Sequence, residues 1–155
     1  MTKKIVFLTI SIFFVFLLTG CNFQNDTFGS QNQSASKISS DNIAPADKIE
    51  IVHFHGTHQC WSCITVGKLA LQTIKDRFAE EYQDGKIIFK EINIDLPENS
   101  EMVQKYQASG SNLFVNSIID GKDNIKEDTN VWRLVSSEKQ FGEYFQGKLN
   151  SLLGQ

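Results

Sequence analysis

Two cysteines three residues apart, Cys60 and Cys63, close the stretch Phe54-His55-Gly56-Thr57-His58-Gln59-Cys60-Trp61-Ser62-Cys63. Placed on one helical turn, such a pair can exchange with a disulfide in two steps: the outer thiolate forms a mixed disulfide and the deeper sulfur resolves it. Cys60 is the candidate nucleophile and Cys63 the candidate resolving thiol. The same pair is half of a tetrahedral metal site, for which His58 is a third candidate ligand for Cu(I) or Zn(II), although no second cysteine pair exists to complete a structural zinc site. Covalent haem attachment is excluded, because Ile64 rather than His follows Cys63.

A strand and a helix must position this dithiol. Lys48 to Phe54 alternates, with Ile49, Ile51 and His53 on one face and Val52 and Phe54 on the other. From Ile64 onward, Gly67, Leu71, Ile74, Phe78 and Tyr82 recur at helical steps, while Lys68, Lys75, Asp76 and Glu80 face water. The dithiol therefore falls at a helix N-terminus, where unpaired N–H groups and the helix dipole favour a thiolate.

The three histidines, His53, His55 and His58, all precede the pair. His53 and His55 share a strand face, where a packed imidazole with no chemical role competes with a proton-transfer role for His53. His58, when protonated, would lower the Cys60 pKa; a solvated loop residue is the plainer reading. Trp61 is expected beside the nucleophile as an exposed apolar contact, and Trp132 against the terminal helix.

Outside this region, residues 1–20 read as a secretory signal, with Lys3 and Lys4 before the apolar run Ile5 to Leu18. Leu18-Thr19-Gly20-Cys21 resembles the bacterial lipobox, which implies acylation of Cys21 and a lipid anchor to a bacterial membrane, on the side facing away from the cytoplasm. Residues 22–47 are rich in Asn, Gln and Ser without apolar period and read as a flexible tether. Residues 48–155 suit one small domain. The net charge of −3 comes from interspersed acids and bases, so nothing points to nucleic acid.

Further along, Lys86 to Asp95 reads as a second strand and Pro97 to about Gln107 as a short helix. Leu113 to Ile119 turns at Asp120-Gly121 into a strand over Asn124 to Asp128. A last helix starts at a Ser137/Gln140 capping box and shows Phe141, Phe145, Leu149 and Leu152 on one face. The order is β-α-β-α-β-β-α, an α/β chain.

That order, with a Cys-x-x-Cys at the first helix N-terminus, resembles the thioredoxin-like superfamily. Asn93-Ile94-Asp95, Lys105-Tyr106 and Gly110 match residues common in thioredoxins, and the likeness covers about residues 48–155. It implies a central mixed four-stranded sheet flanked by helices and thiol–disulfide exchange through a redox-active Cys60–Cys63 disulfide, with protein thiols and disulfides as partners. It calls for no cofactor, and for a reductase it implies a membrane thiol-electron conduit that restores the dithiol. Two departures stand out. The family's cis-proline opposite the dithiol falls on Asn112, preceded by Ser111, and the only prolines are Pro45 and Pro97. Trp61-Ser62 also replaces the Gly-Pro that thioredoxins carry between the cysteines, and that pair tunes the reduction potential. Some thioredoxin-fold metallochaperones use such a site, which keeps the Cys60, Cys63 and His58 metal reading open.

Overall fold

The computed structural model describes residues 44–155. The signal sequence, Cys21 and the tether as far as residue 43 lie outside the described residues. Among the described residues, no helix is long and apolar enough to cross a membrane.

In chain order the elements are β1 (Lys48–His55), α1 (Trp61–Arg77), α2 (Ala79–Gln83), β2 (Ile87–Asn93), a 3-10 turn (Pro97–Asn99), α3 (Ser100–Tyr106), β3 (Asn112–Ile119), β4 (Lys122–Glu127), a 3-10 helix (Thr129–Arg133) and α4 (Glu138–Leu153). The strands form one mixed sheet in the order β2-β1-β3-β4. β1 runs parallel to β2 and antiparallel to β3, which pairs antiparallel with β4. With α1 and α2 taken as one interrupted helix, this is the expected β-α-β-α-β-β-α order and a thioredoxin-like fold.

The alternation of β1 divides the core. Ile49 and Ile51 join Val66, Leu69, Ala70 and Ile74 of α1 and Phe141, Phe145 and Leu149 of α4 in the main core on one face. Val52 and Phe54 join Tyr106 and Phe114 in a smaller core on the other, with Met102 and Val103 of α3 against it. The buried side of α1 is wider than the single stripe through Leu71. Leu71 is only half-buried whereas Val66, Leu69, Ala70 and Thr73 are buried, because the helix packs on the sheet and on α4 at once. The stripe is also interrupted: Phe78 leaves helical geometry, with φ −138° and ψ 38°, yet stays buried and restarts the chain as α2.

Packing extends upstream of Lys48. Ala46 is buried in the main core and its N–H donates to the Leu152 carbonyl at 2.8 Å, while the Asp47 N–H donates to the Ile118 carbonyl at 2.8 Å. Pro45 lies against the α4 C-cap, Gly154, where a Cβ would come within 2.8 Å of the Pro45 Cγ. Gly154 also has φ +74°, so glycine is needed there for conformation and for space.

Candidate redox site

Cys60 is the N-cap of α1. Its backbone is extended, with φ −77° and ψ 164°, and its sulfur accepts the Cys63 N–H at 3.2 Å. An N-cap side chain that accepts an orphan helix N–H is usually a hydroxyl or carboxylate oxygen. With sulfur in that place, the N–H and the dipole of a 17-residue helix both stabilise negative charge on Cys60, and no acidic residue in the first turn opposes them. Cys60 is exposed and Cys63 half-buried; the two are joined as a disulfide, their Cα atoms 5.1 Å apart. The pair thus has the asymmetry that exchange requires, an accessible outer sulfur and a sheltered inner one.

The surroundings follow from the C-terminal end of β1. Trp61 is 64% exposed and Ile64 54% exposed, both on the first turn of α1 beside Cys60. Ser62 is half-buried and His58 exposed. Asn112 opens β3 and pairs with Phe54, one residue from the end of β1, so Ser111 and Asn112 lie at the dithiol end of the sheet. Every peptide bond there is trans among the described residues. The Asn112 amide donates to Glu127 Oε1 at 2.7 Å, and its own oxygen is buried without a partner. Trp132 is partly buried against the main core.

His53 is fully buried on the α1 face of the sheet. Its ring fills the space left by Gly67, where a Cβ would come within 2.7 Å of the imidazole Cε1. Gly67 is one turn beyond Cys63, so the ring lies under the helix face that carries the inner cysteine. His53 Nδ1 is 3.5 Å from Glu91 Oε1, the outer limit of a hydrogen bond, and Nε2 has no partner. Burial pushes the His53 pKa down, Glu91 draws it partly back, and His55 lowers it further. His55 itself is half-buried, with Nδ1 2.9 Å from the Gly56 carbonyl.

Two acids of this region escape a reading of the sequence alone. Glu91 sits directly across from His53 in the β1–β2 register, a relation visible only once that register is fixed. Asp95 accepts the Thr57 N–H at 2.7 Å, tying the loop before Cys60 to the end of β2. Asn93-Ile94-Asp95 is visible in the sequence, but nothing there says which N–H the carboxylate takes. Among the described residues, no three His, Cys, Asp or Glu side chains converge as a metal site, and His58 makes no such group with the two cysteines.

No protein-family model matches the chain, and no curated protein matches it. Similar solved structures include the zinc-bound form of human ERp44, 21% identical over 67% of this chain with a TM-score of 0.48. A thioredoxin from Thermus thermophilus is 13% identical over 68% of this chain, with a TM-score of 0.44. The Trx4 domain of ERdj5 is 14% identical over 68%, also with a TM-score of 0.44. The match spans 27% of the ERp44 chain, 76% of the thioredoxin and 83% of the ERdj5 domain. By its strand order the chain is thioredoxin-like in fold, with a Cys-x-x-Cys pair capping the first helix.

Proposed function

We propose that this protein is a thiol–disulfide oxidoreductase of a bacterial cell envelope, anchored to the membrane through lipid on Cys21 and acting as a reductase of protein disulfides. The observation that carries the chemistry is the exposed Cys60 sulfur at the α1 N-cap, accepting the Cys63 N–H at 3.2 Å. The lipobox-like Leu18-Thr19-Gly20-Cys21 supports the anchor, and the resemblance to the thioredoxin-like superfamily supports disulfide exchange.

In the reduced protein the Cys60 thiolate attacks one sulfur of a client disulfide. A Cys60–client bond forms, and the other client sulfur leaves as a thiolate that takes a proton from water. Cys63 then gives up its proton, to the unpartnered Nε2 of His53 in this reading, and attacks the Cys60 sulfur. The Cys60–Cys63 bond forms and the second client sulfur departs. The client gains two electrons and the protein dithiol loses two, which a thiol donor in a membrane electron conduit must return. His58 raises the thiolate fraction of Cys60 when protonated, Trp61 offers an apolar face to the client, and Ser62 tunes the potential. Ser111 and Asn112 shape the groove where thioredoxins use a cis-proline.

Trapping tests this directly. Cys63→Ala should accumulate mixed disulfides with clients in the membrane fraction, since nothing resolves them, and Cys60→Ala should accumulate almost none. Adding Cys21→Ala should move the trapped adducts to the soluble fraction and remove lipid mass from the mature N-terminus. Equal trapping by both single variants, or stoichiometric tight Cu or Zn on Cys60, Cys63 and His58 without dithiol turnover, would overturn the assignment.

A further inference from the structure

The loop between β1 and the nucleophile is held by the neighbouring strand end rather than by its own residues. The Thr57 N–H donates to Asp95 Oδ2 at 2.7 Å, and the Asn93 amide donates to Thr57 Oγ1 at 3.1 Å. Asn93 Oδ1 accepts the Asp95 N–H at 3.0 Å, and the Asn99 amide donates to the Asn93 carbonyl at 2.8 Å. One step nearer β1, the Ile94 N–H donates to the His55 carbonyl at 2.8 Å. Asp95 is exposed and could turn to water; its carboxyl is nonetheless held below the ordinary carboxylate range, first by the Thr57 N–H and hydroxyl, then by the charges of His58 and His55.

We infer that Asp95, assisted by Asn93, is a positioning residue for the dithiol, fixing the Gly56–Gln59 loop so that Cys60 is delivered to the α1 N-terminus within bonding reach of Cys63. Its bearing on catalysis rests on the oxidoreductase reading above. The reasoning is entropic. Closing the Cys60–Cys63 ring immobilises the outer cysteine, and a loop already fixed raises the effective concentration of one sulfur at the other. Freeing the loop should make the internal disulfide less favoured against two thiols.

The test is the equilibrium of the full chain with reduced and oxidised glutathione. Asp95→Ala should lower the constant for the internal disulfide about tenfold, equal to about 30 mV toward a more oxidising couple. Asp95→Asn, which keeps an acceptor for the Thr57 N–H but not the charge, should stay within about twofold of the wild type. Asn93→Ala removes the second strap and should shift the constant in the same direction by a smaller factor, which keeps the test open if Asp95→Ala folds poorly. An unchanged constant in Asp95→Ala, even with a lower melting temperature, would reduce Asp95 to a loop cap and overturn the inference. Equal shifts in Asp95→Ala and Asp95→Asn would assign the effect to charge and overturn it as well. Because glutathione reports on the dithiol without any client, a wild type inactive on protein disulfides sinks the proposed function alone. A client-active wild type with an unmoved Asp95→Ala sinks only this inference.

Discussion

On the face beneath α1 and α4, aliphatic and aromatic side chains from six elements pack together, and among the described residues the one buried ring there with a polar edge is His53. On the face beneath α3, four buried residues, Val52, Phe54, Tyr106 and Phe114, meet ring against ring, with centroids 5.4 to 5.7 Å apart among the three aromatics. The rest of that face is held by polar contacts. Glu50 takes Lys90 Nζ at 3.1 Å and the Tyr106 hydroxyl at 3.2 Å, and Asp123 takes the Asn116 amide at 2.7 Å and Lys105 Nζ at 2.9 Å. The helix that bears the dithiol is therefore rooted in the larger core. The turn opposite the dithiol, from Gln107 to Ser111, follows the helix that covers the smaller one. The dithiol helix and the turn that leads into β3 are thus rooted in different faces.

Four substitutions would break or sharpen that contrast. Phe145→Ala, in the main core with the side chain fully buried, should cost about 3–5 kcal/mol in denaturant unfolding. Phe114→Ala should cost less, and equal losses would abolish the distinction between the faces. Gly67→Ala should cost about 1–3 kcal/mol, because its Cβ would run into the His53 ring rather than open space. Adding His53→Ala should recover most of that loss; if it recovers none, the Gly67 effect belongs to the backbone instead.

The smallest effect falls on the polar face. Tyr106→Phe should cost about 1 kcal/mol at neutral pH by removing the hydrogen bond to Glu50. Burial alone would raise the Glu50 pKa, but Lys90, Tyr106 and Lys105 outweigh it and hold the group below its usual 4.5. A depressed acid contributes stability that is full above its unfolded pKa and is lost as pH falls through the folded value. The gap between wild type and Tyr106→Phe should accordingly be constant above about pH 5 and narrow below about pH 4. A gap indifferent to acid would show that the hydroxyl and not the carboxylate's charge matters.

Much of this architecture is legible before any coordinates. Period-two alternation gives β1 with its two faces correctly divided. Asp120-Gly121 gives the hairpin, whose turn residues adopt φ of +50° and +69° as a two-residue loop of that kind needs. Ser137 caps α4 as expected, its hydroxyl accepting the Gln140 N–H at 3.4 Å. The break at Phe78 carries no proline or glycine to announce it, since burial of that ring decides it. The 3-10 helix at Thr129–Arg133 is not anticipated, since the expected strand runs to Asp128; that residue instead caps the helix through the Asn130 N–H at 3.2 Å and anchors Lys148 and Tyr144 besides. At the site, Cys60 and Cys63 follow from spacing. Glu91 and Asp95 do not, because each finds its partner 38 residues away through strand register.

The outer strand β4 has a consequence for how copies of this protein behave when crowded. Its sequence, Lys-Asp-Asn-Ile-Lys-Glu, is half-buried at Ile125 and exposed everywhere else, on an edge whose outward backbone groups have no fifth strand beside them among the described residues. Charged side chains on such an edge make a poor template for a second β4, since pairing two of them would take solvated ammonium and carboxylate groups partly out of water. The edge farthest from β2 is therefore blunted against strand pairing from molecule to molecule.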